Sequence, residues 1–308
     1  MKSNLQRIAN TLILYSYHVN NNGLYIGRTG IIRYLYSYSY YSENEYYSDY
    51  ASNLLDMVLK ASNGLSNDFE HGLTGIGWIV SRLLRENLVD GDPDTVLQSV
   101  DKKVFARIAC NPETSLFGHA IYLVERLKNN PDKPYLLEQI DKILKICEDG
   151  LRNYHGKISL YHINSILYFL ITIDKRKEYS DRVEYIRILL PNILNKIIEQ
   201  GLYDVTDILI FNQLMKSIET MYLSRWNYIC LFKFPKIIDF TDCTERYIHT
   251  ARMQEIYLGT VLTDLPSIQQ ISNFIDLKQK NLTLDGFLFQ KGLAGLGSAL
   301  LKSNLKQF

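Results

Sequence analysis

The chain has 308 residues, 46% of them hydrophobic and 22% charged, the balance of an ordinary globular protein and not of a disordered one. Its 34 basic and 33 acidic residues leave a net charge of +1, so no global field draws it to nucleic acid or to an acidic membrane. The length supports one large domain or two ordinary ones, with a core that needs no metal or disulfide.

Apolar residues recur mainly at helical spacing. Leu5, Ile8, Leu12 and Leu14 predict a first helix, and Gln6, Arg7, Asn10 and Thr11 interrupt its apolar run. That pattern is an amphipathic helix and not a signal-peptide core. Ile31, Ile32, Tyr34 and Leu35 belong to a second helix. Tyr50, Leu54, Leu55, Val58 and Leu59 make a third, and Ile76, Ile79, Val80, Leu83 and Leu84 a fourth. The same period continues through Val96 to Ile108, Ile121 to Leu127, Leu136 to Leu151 and Ile166 to Ile173. Two-residue alternation is scarce, so the expected fold is all-α. No window reaches about 18 uninterrupted apolar residues, and no membrane insertion is expected.

The polar breaks at Asp90 to Asp94 and Asn129 to Asp132 read as connections, with Pro93 and Pro131 near helix starts. The first resembles half of a calcium loop but lacks the distal glutamate, so it is read as a turn. Cys110, Cys147, Cys230 and Cys243 are far apart and form no CxxC pair. They are expected to be reduced thiols in a cytoplasmic protein. The chain has 23 tyrosines, many of them between Tyr34 and Tyr50. They form either a stripe that stacks on sugars or bases, or the compositional trace of an AT-rich genome.

An internal repeat carries most of the information about the fold. Gly30, Gly75 and Gly118 lie in similar units, 45 and 43 residues apart. Ser115 opens SLFGHAIYL, and 44 residues later Ser159 opens SLYHINSIL. A further unit fits Tyr203 to Glu219, and GLAGLGSALL at Gly292 to Leu301 restates GLTGIGWIV at Gly72 to Val80. A period near 44 residues fits one helical hairpin per unit, with glycine at the start of the second helix. Such hairpins stack as an open solenoid or close into a ring. Glycines at the same end of each second helix favour the ring, because helix ends crowd at its rim. The expectation is one domain over 1–308, an α/α toroid of six or seven hairpins in inner and outer layers.

The units GLYIGRTGI at Gly23 to Ile31, HGLTGIGWIVSRLL at His71 to Leu84 and GLAGLGSALL resemble the lanthionine synthetase C-like (LanC-like) family. The resemblance implies an α/α toroid associated with peptide modification. Its characterised cyclases add a peptide cysteine thiol to a dehydrated serine or threonine. They use a zinc ion held by two cysteines and a histidine, one cysteine adjacent to the histidine in a CHG motif. The metal makes the substrate thiol a thiolate and keeps its fourth position open. This chain departs from that pattern. It has no Cys-His pair, and Glu70 stands before His71-Gly72. None of the three zinc ligands carries over, so no metal ligand and no cofactor is assigned. The resulting expectation is a peptide- or partner-binding scaffold for a precursor peptide or a peptide-modifying enzyme. An active cyclase with a rearranged site and a glycosidase-like enzyme on the toroid remain alternatives.

His71 is the candidate acid/base residue, since the family's cyclases use a histidine in an HG unit for proton transfer. Glu70 and Asp68 beside it are candidate partners or helix-start anions. Arg28, and Arg33 with it, stands near the tyrosine run and is a candidate for gripping a peptide. His119 and His162 occupy adjacent repeats and are candidate binding groups. Cys230, Cys243 and His249 could assemble a metal site only with a favourable bend. A glycosidase would need two carboxylates across a cleft, for which Asp68, Glu70, Asp204 and Asp285 are the candidates. Trp78 is expected in the core.

Overall fold

The computed structural model describes residues 1–61, 64–108, 112–153, 158–220, 229, 232–234, 243–281 and 283–304. Among them are thirteen α-helices and no strand, as the period predicts. In chain order they are α1 (Lys2–Tyr15), α2 (Arg28–Ser42), α3 (Tyr46–Lys60), α4 (Leu73–Arg85), α5 (Pro93–Ala106), α6 (Pro112–Asn129) and α7 (Pro134–Arg152). There follow α8 (Leu160–Ile173), α9 (Ser180–Gln200), α10 (Val205–Thr220), α11 (Cys243–Leu258), α12 (Ile268–Asn281) and α13 (Leu293–Asn304). None of them is long and apolar enough to cross a membrane.

The helix starts follow the sequence signals. Pro93 opens α5, where its missing N–H costs nothing. Asp92 accepts the backbone N–H and the hydroxyl of Thr95, both at 2.8 Å, so the acidic turn before α5 is a helix cap. Pro134, and not Pro131, starts α7. Gly201 ends α9 at φ 65°, the left-handed conformation that a side chain resists.

The chain divides into two compact units, Met1–Asp101 with Thr241–Phe308, and Lys102–Phe240. In the first unit, α4 is buried on every side from Leu73 to Leu84. The same holds for Thr29 to Tyr36 of α2, Thr250 to Tyr257 of α11 and Leu293 to Leu301 of α13. A helix covered all round belongs to an interior layer. By contrast, α1 buries Leu5, Ile8 and Leu12, α3 buries Leu54, Leu55 and Val58, and α12 buries Ile271, Phe274 and Ile275 on single faces. Within this unit α13 packs between α11 and α2, α2 also meets α4, and α1 lies over α2, α12 and α13. Thus α13 sits against α2. Tyr34 of α2 lies over Gly297 of α13 so closely that a methyl group there would collide with its ring, and its hydroxyl donates to the Leu5 carbonyl at 2.6 Å.

The tyrosine run is largely structural. Tyr34, Tyr36, Tyr38 and Tyr47 are buried, while Tyr40 and Tyr46 are exposed. Tyr38 stacks on Tyr34 and meets Tyr47 edge to face at 4.8 Å, the geometry aromatic quadrupoles prefer. Trp78 is in the core at 1% exposure.

The second unit has the same two layers. Its α8 is buried almost all round and lies between α6 and α10, while α7 packs on α6 and α9 on α7 and α8. Both α7 and α9 bury one face, through Leu136, Ile140, Ile143, Leu144, Cys147 and Leu151 of α7 and Val183, Ile186, Leu190 and Ile197 of α9.

Candidate functional site

The repeated glycine turns lead into α2, α4 and α13 and form one backbone arrangement used three times. Gly27 and Gly72 are the residues before α2 and α4, and Gly292 holds that place before α13. Three residues further in, Gly30, Gly75 and Gly295 each face the carbonyl oxygen six residues back, of Leu24, Phe69 and Phe289. A Cβ would fall well inside contact distance of that oxygen, so no other residue fits. The turns are also linked in series. Gln290 N–H donates to the Tyr25 carbonyl at 3.0 Å, and Tyr25 N–H donates to the Glu70 carbonyl at 2.8 Å. Tyr25, Glu70 and Gln290 hold the same position relative to the turn glycine. One bond type thus runs from the last turn to the first and on to the second. Arg252 braces the series, its guanidinium 4.1 Å from the Tyr25 ring centre and donating to the Gln290 carbonyl at 2.7 Å.

The sequence-predicted site residues lie mostly at such helix starts. His71 Nε2 is 3.8 Å from the Glu70 carboxylate, and both side chains are partly exposed, so the structure does bring this pair together. Asp68 accepts the His71 backbone N–H at 2.5 Å and the Ser66 hydroxyl, and it holds the turn before α4. Arg28 donates to the carbonyls of Ser16 and Tyr17, both at 3.4 Å, and to Asn22 Oδ1 at 3.3 Å. It fastens the segment between α1 and α2.

His162 is the third residue of α8, and its Nδ1 lies 2.9 Å from the Ser159 hydroxyl in a capping box. Burial pushes its pKa below the usual histidine value. His119 is buried in α6. Asp204 and Asp207 cap α10 reciprocally, each accepting the other's backbone N–H, at 2.7 Å and 3.2 Å. Burial first, and then the Asp204 charge, pushes Asp207 up to about 7. Asp285 lies in a 3₁₀ turn before α13.

The family resemblance implies zinc, which needs thiolate or imidazole donors converging on one point. Cys147 is buried, and burial pushes its thiol up to about 12, which opposes the thiolate a metal needs. Cys243 is exposed, and its sulfur accepts the Gln270 amide at 2.9 Å. His249 Nδ1 accepts an Arg252 N–H at 2.8 Å. Among the described residues no three His, Cys, Asp or Glu side chains converge as a metal site requires. The described donors do not fit zinc. Cys110 and Cys230 lie outside the described residues.

A buried concentration of charge lies between the interior helices of the first unit. Arg33 of α2 donates to Glu86 at 2.7 Å and to Glu255 of α11 at 2.9 Å. Arg82 of α4 donates to Glu86 at 3.0 Å and to the Glu255 carbonyl at 2.9 Å. Lys302 of α13 reaches Glu86 at 2.8 Å. Arg33 and Glu255 are almost fully covered, with side chains 2% and 3% exposed. Burial alone would raise Glu86 and Glu255, but Arg33, Arg82 and Lys302 outweigh it and hold both carboxyls below the usual range. Burial, Arg33 and Arg82 lower the Lys302 ammonium against the pull of Glu255 and Glu86. Beside the network opens a cleft of about 250 Å³, lined by Arg33, Ser37, Tyr40, Glu86, Leu88, Leu301 and Lys302.

Sequence reasoning singled out Arg33 but missed Arg82, Glu86, Glu255 and Lys302. A signal was present: Arg33 and Arg82 sit inside IIRYLY and WIVSRLL, where only a paired charge tolerates burial. Comparison of the chain with family models, with curated proteins and with solved structures finds no match in any of the three.

Proposed function

We propose that the chain is a LanC-like α/α toroid of the cytoplasm that binds a precursor peptide or a peptide-modifying partner and does not itself form thioether rings. The observation that carries this reading is the hydrogen-bond series from Gln290 to Tyr25 to Glu70. A ring of hairpins must join a late unit to an early one, and the Gln290–Tyr25 bond does so at the same position that Tyr25 uses to reach Glu70. The packing of α13 on α2 supports the same order. The ion network supports the non-cyclising half of the reading. Arg33, Arg82, Glu86, Glu255 and Lys302 occupy the space between the interior helices, where a ring enzyme would place its thiol-activating groups. Charges held in fixed pairs suit recognition better than proton transfer.

The test uses the full chain and a fluorescein-labelled peptide containing one dehydroalanine and one cysteine. Fluorescence anisotropy is expected to saturate while the free-thiol titre of the peptide stays constant over hours. A thiol titre that falls in the presence of the chain would establish the cyclase alternative instead. No saturable anisotropy change would reject the scaffold.

A further inference from the structure

The cleft beside the ion network has a chemistry of its own, independent of the family reading. Two cations and one carboxylate line it, Arg33, Lys302 and Glu86. The Glu86 carboxylate accepts from Arg33, Arg82 and Lys302 together, so its charge is saturated from the protein side. Lys302 is different. Its ammonium has three N–H donors, gives one of them to Glu86 at 2.8 Å, and keeps 20% of its side chain exposed. Its surroundings disfavour its charge on balance, since burial and the two arginines outweigh the two glutamates. An anion reaching Lys302 would add to the pull of the two glutamates. Tyr40, 69% exposed, adds a phenol at the rim, while Leu88 and Leu301 provide apolar wall. The volume of about 250 Å³ is below the usual range for drug-sized ligands and suits one amino-acid-sized group.

We infer that this cleft binds a monocarboxylate carrying a short aliphatic tail, with the carboxylate on Lys302 and the Tyr40 hydroxyl and the tail against Leu88 and Leu301. A dianionic phosphate fits less well, because the other cation lining the cleft, Arg33, is already held by Glu86 and Glu255 and leaves the phosphate's second charge without a partner. The carboxylate has two possible sources, a free aliphatic acid or the last residue of a peptide.

Isothermal titration of the full chain distinguishes them. The probes are 4-methylpentanoate, its amide, and a tetrapeptide ending in leucine with a free or an amidated C-terminus. Saturable heat is expected from at least one free carboxylate and from neither amide. Tighter binding of the peptide acid assigns the site to a peptide end, and tighter binding of 4-methylpentanoate assigns it to a free acid. Lys302→Met is expected to weaken binding by at least about tenfold, the scale of one charge-assisted hydrogen bond. Tyr40→Phe changes an exposed side chain, leaves folding intact and is expected to weaken binding about threefold or more. It is the deciding variant should Lys302→Met fail to fold. The proposal is overturned if no free carboxylate binds at millimolar concentration, if an amide binds equally well, or if a folded variant binds as the parent does. An anisotropy result with the dehydroalanine peptide would stand or fall separately from these titrations.

Discussion

At the start of α10, Asp207 is 6% exposed and keeps its proton far above the ordinary aspartate range. Burial is the main cause and the Asp204 charge the second, while the backbone bond with Asp204 acts in the opposite sense. The sign of the consequence for stability follows from linkage. The unfolded chain releases this proton near pH 3.8 and the folded chain near pH 7, so the folded state binds more protons between those values. The stabilising contribution is complete below pH 3.8 and is lost as pH rises through 7. Three pKa units correspond to a contribution on the order of 4 kcal/mol. Asp207→Asn keeps an acceptor for the Asp204 N–H and removes the titration. Urea unfolding of this variant is expected to give a stability that falls less between pH 4 and pH 7 than the parent's. Equal slopes for the two proteins would show that Asp207 does not hold the proton.

Four interior helices of the first unit meet at the ion network, where Glu86 gathers α2, α4 and α13 and Glu255 brings in α11. Its carboxylate takes Arg33 and its backbone carbonyl takes Arg82, so α11 is tied to α2 and α4 at one residue. Removing one partner from a buried pair costs about 3–5 kcal/mol, because the other charge stays buried. Glu255→Gln is expected to lower unfolding stability at pH 7 by about 3 kcal/mol. The loss should shrink toward pH 3. Glu255 is held below the usual carboxylate range, so its contribution is present above the unfolded value of 4.5 and fades as pH falls through its folded one. A variant as stable as the parent at pH 7 would contradict this. These elements also mark where sequence reading ran out. Helices and turn glycines were legible because both are local: apolar period fixes a face, and GLTGIG and GLAGLG repeat as strings. The network was not, because Arg33, Glu86, Glu255 and Lys302 are brought together only by packing. Nor could a sequence show that the helix-start residues Asp68, Arg28 and His162 hold turns and caps, since the same residue types serve ligands and helix starts alike.

For the molecule as a whole, the packing of α13 on α2 has the strongest consequence. In α13, Leu293 to Leu301 are buried without interruption. They pack between α11 and α2, with Gly297 beneath Tyr34 and Lys302 in the ion network. Opening α13 would uncover Tyr34, strip Lys302 from Glu86 and expose the apolar sides of α2 and α11. Opening is therefore expected to require the global unfolding of the first unit and not local fraying. Hydrogen–deuterium exchange read by mass spectrometry tests this directly. Peptides covering residues 293–301 and 29–38 are expected to exchange together, both at the slowest rates in the unit. Peptides from α12, which buries only Ile271, Phe274 and Ile275, should exchange ahead of them. Fast exchange over 293–301 with slow exchange over 29–38 would mean that α13 opens alone and that its packing on α2 does not bind the two helices into one cooperative unit.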